Sequence, residues 1–122
     1  MTATPTTATF DTEALRRAEE SADAEGLLAL IADDAVIESV DSEHPPSSPL
    51  VLRGKDEIGA FLRDVSSRDM KHRVDGLVQQ GDTVAFTVHC EYPDGTRVLS
   101  MASARIVDGK IVRQTNLQAW DS

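Results

Sequence analysis

The chain has 122 residues, is 40% hydrophobic, and carries 21 acidic against 12 basic side chains for a net charge of −9. That length is one domain's worth, able to close a core without staples, and the acidic balance opposes any sequence-independent attraction to nucleic-acid phosphates or anionic lipid. No apolar run approaches the roughly 20 residues of a membrane span, no basic segment leads into an apolar stretch at the N-terminus, and the one cysteine, Cys90, cannot make an internal disulfide. These features fit a soluble protein of a reducing cytoplasm, with no nucleic-acid or membrane partner.

In chain order, residues 1–9 are threonine and alanine with one proline and nothing to bury, the pattern of a flexible tail ahead of a domain over residues 10–122. Asp11 or Thr12 caps a helix in which Leu15, Ala18 and Ala22 fall on one side, while Glu13, Glu19, Glu20, Asp23 and Glu25 read as a solvated face. Residues 23–26 break or bend that helix, and the apolar run 27–32 predicts a short buried second one that ends at Asp33-Asp34. Residues 35–40 predict a short strand with Ile37 and Ser39 on one side and Val36 and Glu38 on the other. The segment 41–49 (DSEHPPSSP) excludes regular structure and places a loop at the strand end, where pocket rims lie. Residues 50–52 suit a short strand, and Ile58, Phe61, Leu62 and Val65 give residues 55–65 the spacing of an amphipathic helix.

Four strands follow. Residues 70–80 alternate weakly, and in residues 83–92 (TVAFTVHCEY) Val84, Phe86, Val88, Cys90 and Tyr92 alternate with Ala85, Thr87, His89 and Glu91. Pro93-Asp94-Gly95 and Asp108-Gly109 then supply turns before residues 96–107 and 110–120, which makes the last third of the chain an antiparallel meander. Helices followed by consecutive strands define an α+β fold, a single sheet with helices gathered on one side.

Four segments in this order, Leu30–Ala35 (LIADDA) before a strand, Gly54-Lys55-Asp56-Glu57-Ile58 opening a helix, Gly81–Ala85 (GDTVA) opening a strand and Asp108-Gly109-Lys110-Ile111 opening the last strand, resemble the nuclear transport factor 2-like superfamily. Within it the chain is similar to the SnoaL-like proteins and the ketosteroid isomerases over residues 10–120. The resemblance implies a cone: a strongly curved antiparallel sheet wrapped over three helices around a deep apolar cavity. It also implies a homodimer formed through the sheet's outer face and a small apolar ligand without a cofactor. Ketosteroid isomerases use a carboxylate base with a tyrosine and a protonated aspartate as oxyanion donors. Aligned through Asp33-Asp34, those roles fall on Ser39, Leu15 and Ala102, so the resemblance is one of shape and all three chemical positions are vacant.

Proton transfer, if this chain performs it, must come from elsewhere. Asp41, two residues beyond Ser39, is a candidate relocated base set against an exposed loop carboxylate, and His72 is a candidate cavity imidazole set against a structural hydrogen-bonding role. His44 is a candidate at the loop rim. His89 and Glu91 fall by parity on the outer face, where a dimer contact suits them better, and Cys90 reads as a small buried hydrophobe. Ser39, Phe86, Val88, Ala102, Asn116, Gln118 and Trp120 are the expected ligand-binding residues, the last three sharing one face of the final strand. The small Ser100, Ala102 and Ala104 leave room beside them. No HxxxH, CxxC or glycine-rich phosphate loop is present, so no metal or cofactor is expected. A limonene-epoxide-hydrolase-like site requires an Asp/Arg/Asp set that Arg105 and Asp75 do not obviously supply. Two classes of function remain: a small-molecule-binding protein with acid-base activity of isomerase, cyclase or hydrolase type, and a non-catalytic dimeric accessory domain.

Overall fold

The computed structural model describes residues 9–121, so the segment expected to be a flexible tail lies outside the described residues except for Thr9. Order is in place by Phe10, whose ring is buried in the core. The elements run α1 (Thr12–Glu20), α2 (Ala24–Leu28), β1 (Ile31–Val40), β2 (Leu50–Arg53), α3 (Gly54–Ser66), β3 (Lys71–Gln80), β4 (Thr83–Glu91), β5 (Arg97–Val107) and β6 (Lys110–Trp120). The six strands form one curved, unclosed sheet in the order β2-β1-β6-β5-β4-β3.

Local chemistry accounts for the helix starts. Asp11 caps α1 by accepting from the Ala14 N–H at 3.0 Å, and Asp23 caps α2 by accepting from the Gly26 N–H at 3.0 Å. Residues 23–26, expected to interrupt a helix, therefore begin one. The second helix ends at Leu28, and Ile31, expected to be helical, opens β1 beside Ile111. An apolar run of six residues fits a buried helix or a buried strand equally well, and here the tertiary partner decides. Asp33 and Asp34 accordingly do not end a helix. They sit exposed within an irregular stretch of β1, where the ladder to β6 steps from Ile31↔Ile111 to Val36↔Arg113.

The sheet is mixed rather than wholly antiparallel. Of the five seams between the six strands four are antiparallel, but β1 and β6 run parallel, because the chain leaves β1, crosses through β2 and α3, and returns to β1's flank only as the last strand of the meander. The meander itself is as read from the sequence. Positive φ at both Asp108 and Gly109 gives the tight turn that sets Val107 opposite Lys110, a backbone shape matched to strand twist.

Alternation assigns the two faces. Val84, Phe86 and Val88 of β4, Val98, Ala102 and Ala104 of β5, and Ile37 and Ser39 of β1 are buried under the helices. Leu15 of α1 and Ile58 of α3 close the core from the other side. The convex face keeps Leu99, Met101 and Leu117 in solvent.

Candidate functional site

The three helices cover the concave face incompletely, leaving a hollow of about 110 Å³ between Leu15 and Glu19 of α1, Phe61, Leu62 and Val65 of α3, and the inner faces of β3 to β6. Small side chains on the sheet leave it room: Ser100 and Ala102 line it opposite helices that supply Leu15, Leu27, Leu62, Val65 and Phe61 together with the polar Glu19 and Ser66. Toward the open end the hollow continues into an outer chamber of about 490 Å³, and Phe61, Val65, Cys90 and Gln118 line both.

His72, Phe86, Val88, Ala102, Asn116 and Gln118, all expected from the sequence, line the inner hollow. Trp120 and Asp41 line the outer chamber instead, with Gln118 between the two groups. Ser39 is buried but does not line the hollow; it sits beside Asn116 on the neighbouring strand, where its hydroxyl accepts from Asn116 Nδ2 at 3.3 Å while Asn116 Oδ1 accepts from Gln114 Nε2 at 2.8 Å. This relay fixes the Asn116 amide against the hollow. Of the positions that correspond to isomerase roles, Leu15 and Ala102 face the hollow with nothing to donate or accept.

Glu19 is the ionisable group that the sequence did not single out. It follows Leu15 by one helical turn, which puts its carboxyl on the same face and into the hollow. Its surface is partly accessible because it fronts that space, while protein encloses its other sides. Desolvation raises its pKa from 4.5 to about 7, so near neutral pH it exists in both protonation states. In the same lining His72 Nδ1 lies 3.2 Å from Cys90 Sγ. Burial lowers the His72 pKa, which favours the neutral ring, and burial followed by the charge of Glu19 pushes the Cys90 thiol up to about 11. Cys90 is therefore a thiol at neutral pH, a poor nucleophile and a hydrogen-bonding partner for His72.

At the mouth, Asp41 is committed to its own loop. Oδ1 accepts from the Glu43 and His44 N–H groups at 2.9 and 2.8 Å and contacts His44 Nδ1 at 2.9 Å. The hydrogen bonds, together with the His44 charge, outweigh partial desolvation and hold its pKa below the usual value. A carboxylate so stabilised is a weak base. Arg68, after α3, donates to Asp64 Oδ2 at 2.8 Å and to the Tyr92 hydroxyl at 3.4 Å, and the Tyr92 and Trp120 rings pack with centroids 5.9 Å apart. On the outer face His89 Nε2 lies 3.5 Å from Asp75, Glu91 pairs with Arg97 at 3.2 Å, and Arg105 pairs with Asp82 at 3.4 Å. Arg105 and Asp75 thus take different partners and form no joint site.

Among the described residues no group of His, Cys, Asp and Glu is arranged to hold a metal, and no helix is long and apolar enough to cross a membrane.

An α+β cone with a polar-tipped apolar hollow under its sheet is the architecture of nuclear transport factor 2-like proteins. The model of the SnoaL-like domain family matches residues 12–114, and the chain belongs to that family. Solved structures agree on the fold. An NTF2-like protein of unknown function from Mesorhizobium loti is 21% identical, with 88% of each chain covered and a TM-score of 0.74. A protein from Kribbella flavida, provisionally described as a ketosteroid isomerase, is 22% identical over 90% of this chain and 74% of its own, with a TM-score of 0.71. Wild-type IdmH from Streptomyces antibioticus, provisionally described as a polyketide cyclase, is 29% identical over 87% of each chain, with a TM-score of 0.64. Comparison with curated proteins gives no match.

Proposed function

We propose that the protein binds a small, largely apolar molecule in the concave hollow and exchanges a proton with it, in the manner of an isomerase or cyclase. The observation that carries this reading is Glu19: a carboxyl with a pKa of about 7 set among apolar side chains in a hollow that small residues keep open. A structural residue at that position is better apolar, because an unpaired buried carboxylate costs stability. Near neutral pH such a carboxyl gives or takes a proton with little bias, the property required of an acid-base group. His72 is the second proposed participant. As a neutral ring bonded to Cys90 it offers a hydrogen bond rather than a charge. Phe86, Val88 and Ala102 supply the apolar wall, and Asn116 and Gln118 supply amides for a carbonyl or hydroxyl oxygen. The provisional description of IdmH as a polyketide cyclase favours a cyclic or cyclising ligand of the same general kind.

Size sets a limit on that ligand. A dry cavity of about 150 Å³ accommodates benzene, so the inner hollow of about 110 Å³ takes a small ring edge or a branched aliphatic end rather than a whole polycycle. The rest of a larger molecule must occupy the outer chamber.

A melting-temperature screen with apolar cyclic compounds tests the reading, run on the wild type and on Ala102→Leu, which fills the hollow. A compound selective for the folded state raises the wild-type melting point and has a smaller effect on the variant. Equal shifts in both proteins place binding elsewhere and reject the proposal. The accessory-domain reading has one observation in its favour, the exposed Leu99, Met101 and Leu117 on the convex face. A homodimer through that face is compatible with either function.

A further inference from the structure

The Asp41-to-His44 loop is more ordered than its composition implies. Asp41 N donates to the His44 carbonyl at 3.0 Å and His44 N donates to the Asp41 carbonyl at 3.2 Å, so the segment is closed in both directions. The Asp41 carboxylate fastens the same turn from inside through the Glu43 and His44 N–H groups. These bonds fix the backbone, and the 2.9 Å contact from His44 Nδ1 to Asp41 Oδ1 fixes the ring. An ionised Asp41 can only accept a hydrogen bond from its partner, which assigns a hydrogen to Nδ1 and leaves Nε2 as the free ring nitrogen. Both residues line the outer chamber, whose other walls include Phe61, Arg68 and Trp120.

We propose that the outer chamber is a binding subsite for the hydroxyl group of an uncharged planar molecule, with His44 Nε2 as its hydrogen-bond acceptor and Trp120 as the surface on which the ring lies. This deepens the reading of the concave hollow as a small-molecule site and rests on it for the ligand's apolar end. Charge decides against an anionic ligand. Asp41 and Glu43 stand at the mouth, Arg68 is already matched by Asp64, and the whole chain carries −9. Geometry decides for a hydroxyl. With Nδ1 donating to Asp41, Nε2 is the ring's remaining acceptor, and an ether or carboxylate supplies no donor for it. The exposed Trp120, braced by Tyr92, offers a flat apolar face at the same opening.

The test is calorimetric titration at pH 8 of the intact protein with 2-naphthol, 2-methoxynaphthalene and 2-naphthoate. Trp120 is the one tryptophan of the chain, so its indole N–H resonance locates binding in the outer chamber independently of events at Glu19. One added hydrogen bond supports about a tenfold preference for the naphthol over its methyl ether, with the naphthoate weaker still. In His44→Gln, whose backbone bonds remain available, the preference for naphthol over the ether falls at least severalfold and ether affinity is unchanged. Asp41→Asn keeps an oxygen for the loop N–H groups while removing the charge that orients the ring, and the preference drops there as well. Equal wild-type affinities, tighter naphthoate binding, no binding of either neutral compound, or an unmoved indole signal overturns the proposal. So does a naphthol preference that survives His44→Gln.

Discussion

Glu19 carries the proposed proton transfer in one side chain. Its carboxyl ionises at about 4.5 in the open chain and at about 7 in the folded protein. The folded state therefore binds more protons than the unfolded state between those values, and stability falls as pH rises through that window. The shift corresponds to a cost on the order of 3 kcal/mol once both states are ionised, an upper figure because the group retains contact with the hollow's solvent. Glu19→Gln removes the titration. Urea unfolding curves between pH 5 and pH 8 are expected to show the variant gaining on the wild type as pH rises, while any proton-transfer activity falls by about 10²- to 10⁴-fold. Parallel stability profiles contradict the assignment. The sequence carried a signal for this residue, since Leu15 and Glu19 are one turn apart and share a face. Charge overrode spacing: Glu13, Glu20, Asp23 and Glu25 make Glu19 read as one more solvated acid. The hollow that receives it is formed by residues distant in the chain.

At the scale of elements, most of the architecture was legible because strand alternation and helix periodicity are local. Val84, Phe86 and Val88 took the inner face as their parity requires, and Ile58 took the centre of α3's buried face. The misplaced boundary, residues 27–32, had no period to reveal it, and the contact that settles it joins Ile31 to Ile111 across the chain. The parallel β1–β6 seam was equally hidden, since strand order depends on where a crossover lands. Ser39 shows the limit for the site: its inward parity was correct, but it lies one strand beyond Asn116 and outside the lining of the hollow, a packing detail that one sequence does not encode. Two stability predictions belong here. Ile58→Ala, at a fully buried position joining α3 to the sheet, should cost about 2–5 kcal/mol in urea unfolding. Asp11→Ala, which loses the α1 cap, should cost about 1 kcal/mol. A cost below about 1 kcal/mol for Ile58→Ala is inconsistent with its place in the core.

The whole molecule presents two faces of different character. The concave face surrounds the hollow, and the convex face leaves Met101 and Leu117, direct neighbours across β5 and β6, in solvent with Leu99 nearby. Apolar side chains so grouped commonly mark an interaction surface. If a second copy covers them, Met101→Glu shifts the sedimentation profile of the protein from dimer to monomer and leaves the monomer's fold intact. A wild-type protein that sediments as a monomer at high concentration removes the dimer from the account. Ligand binding does not depend on that outcome, because neither the inner hollow nor the outer chamber draws on those residues. What it does depend on is a carboxyl enclosed by an apolar hollow. The most direct measurement is a ¹³C NMR titration of the Glu19 side-chain carboxyl: the account predicts a midpoint near 7, moving higher when an apolar ligand displaces the remaining water, and a midpoint near 4.5 that no ligand shifts contradicts it.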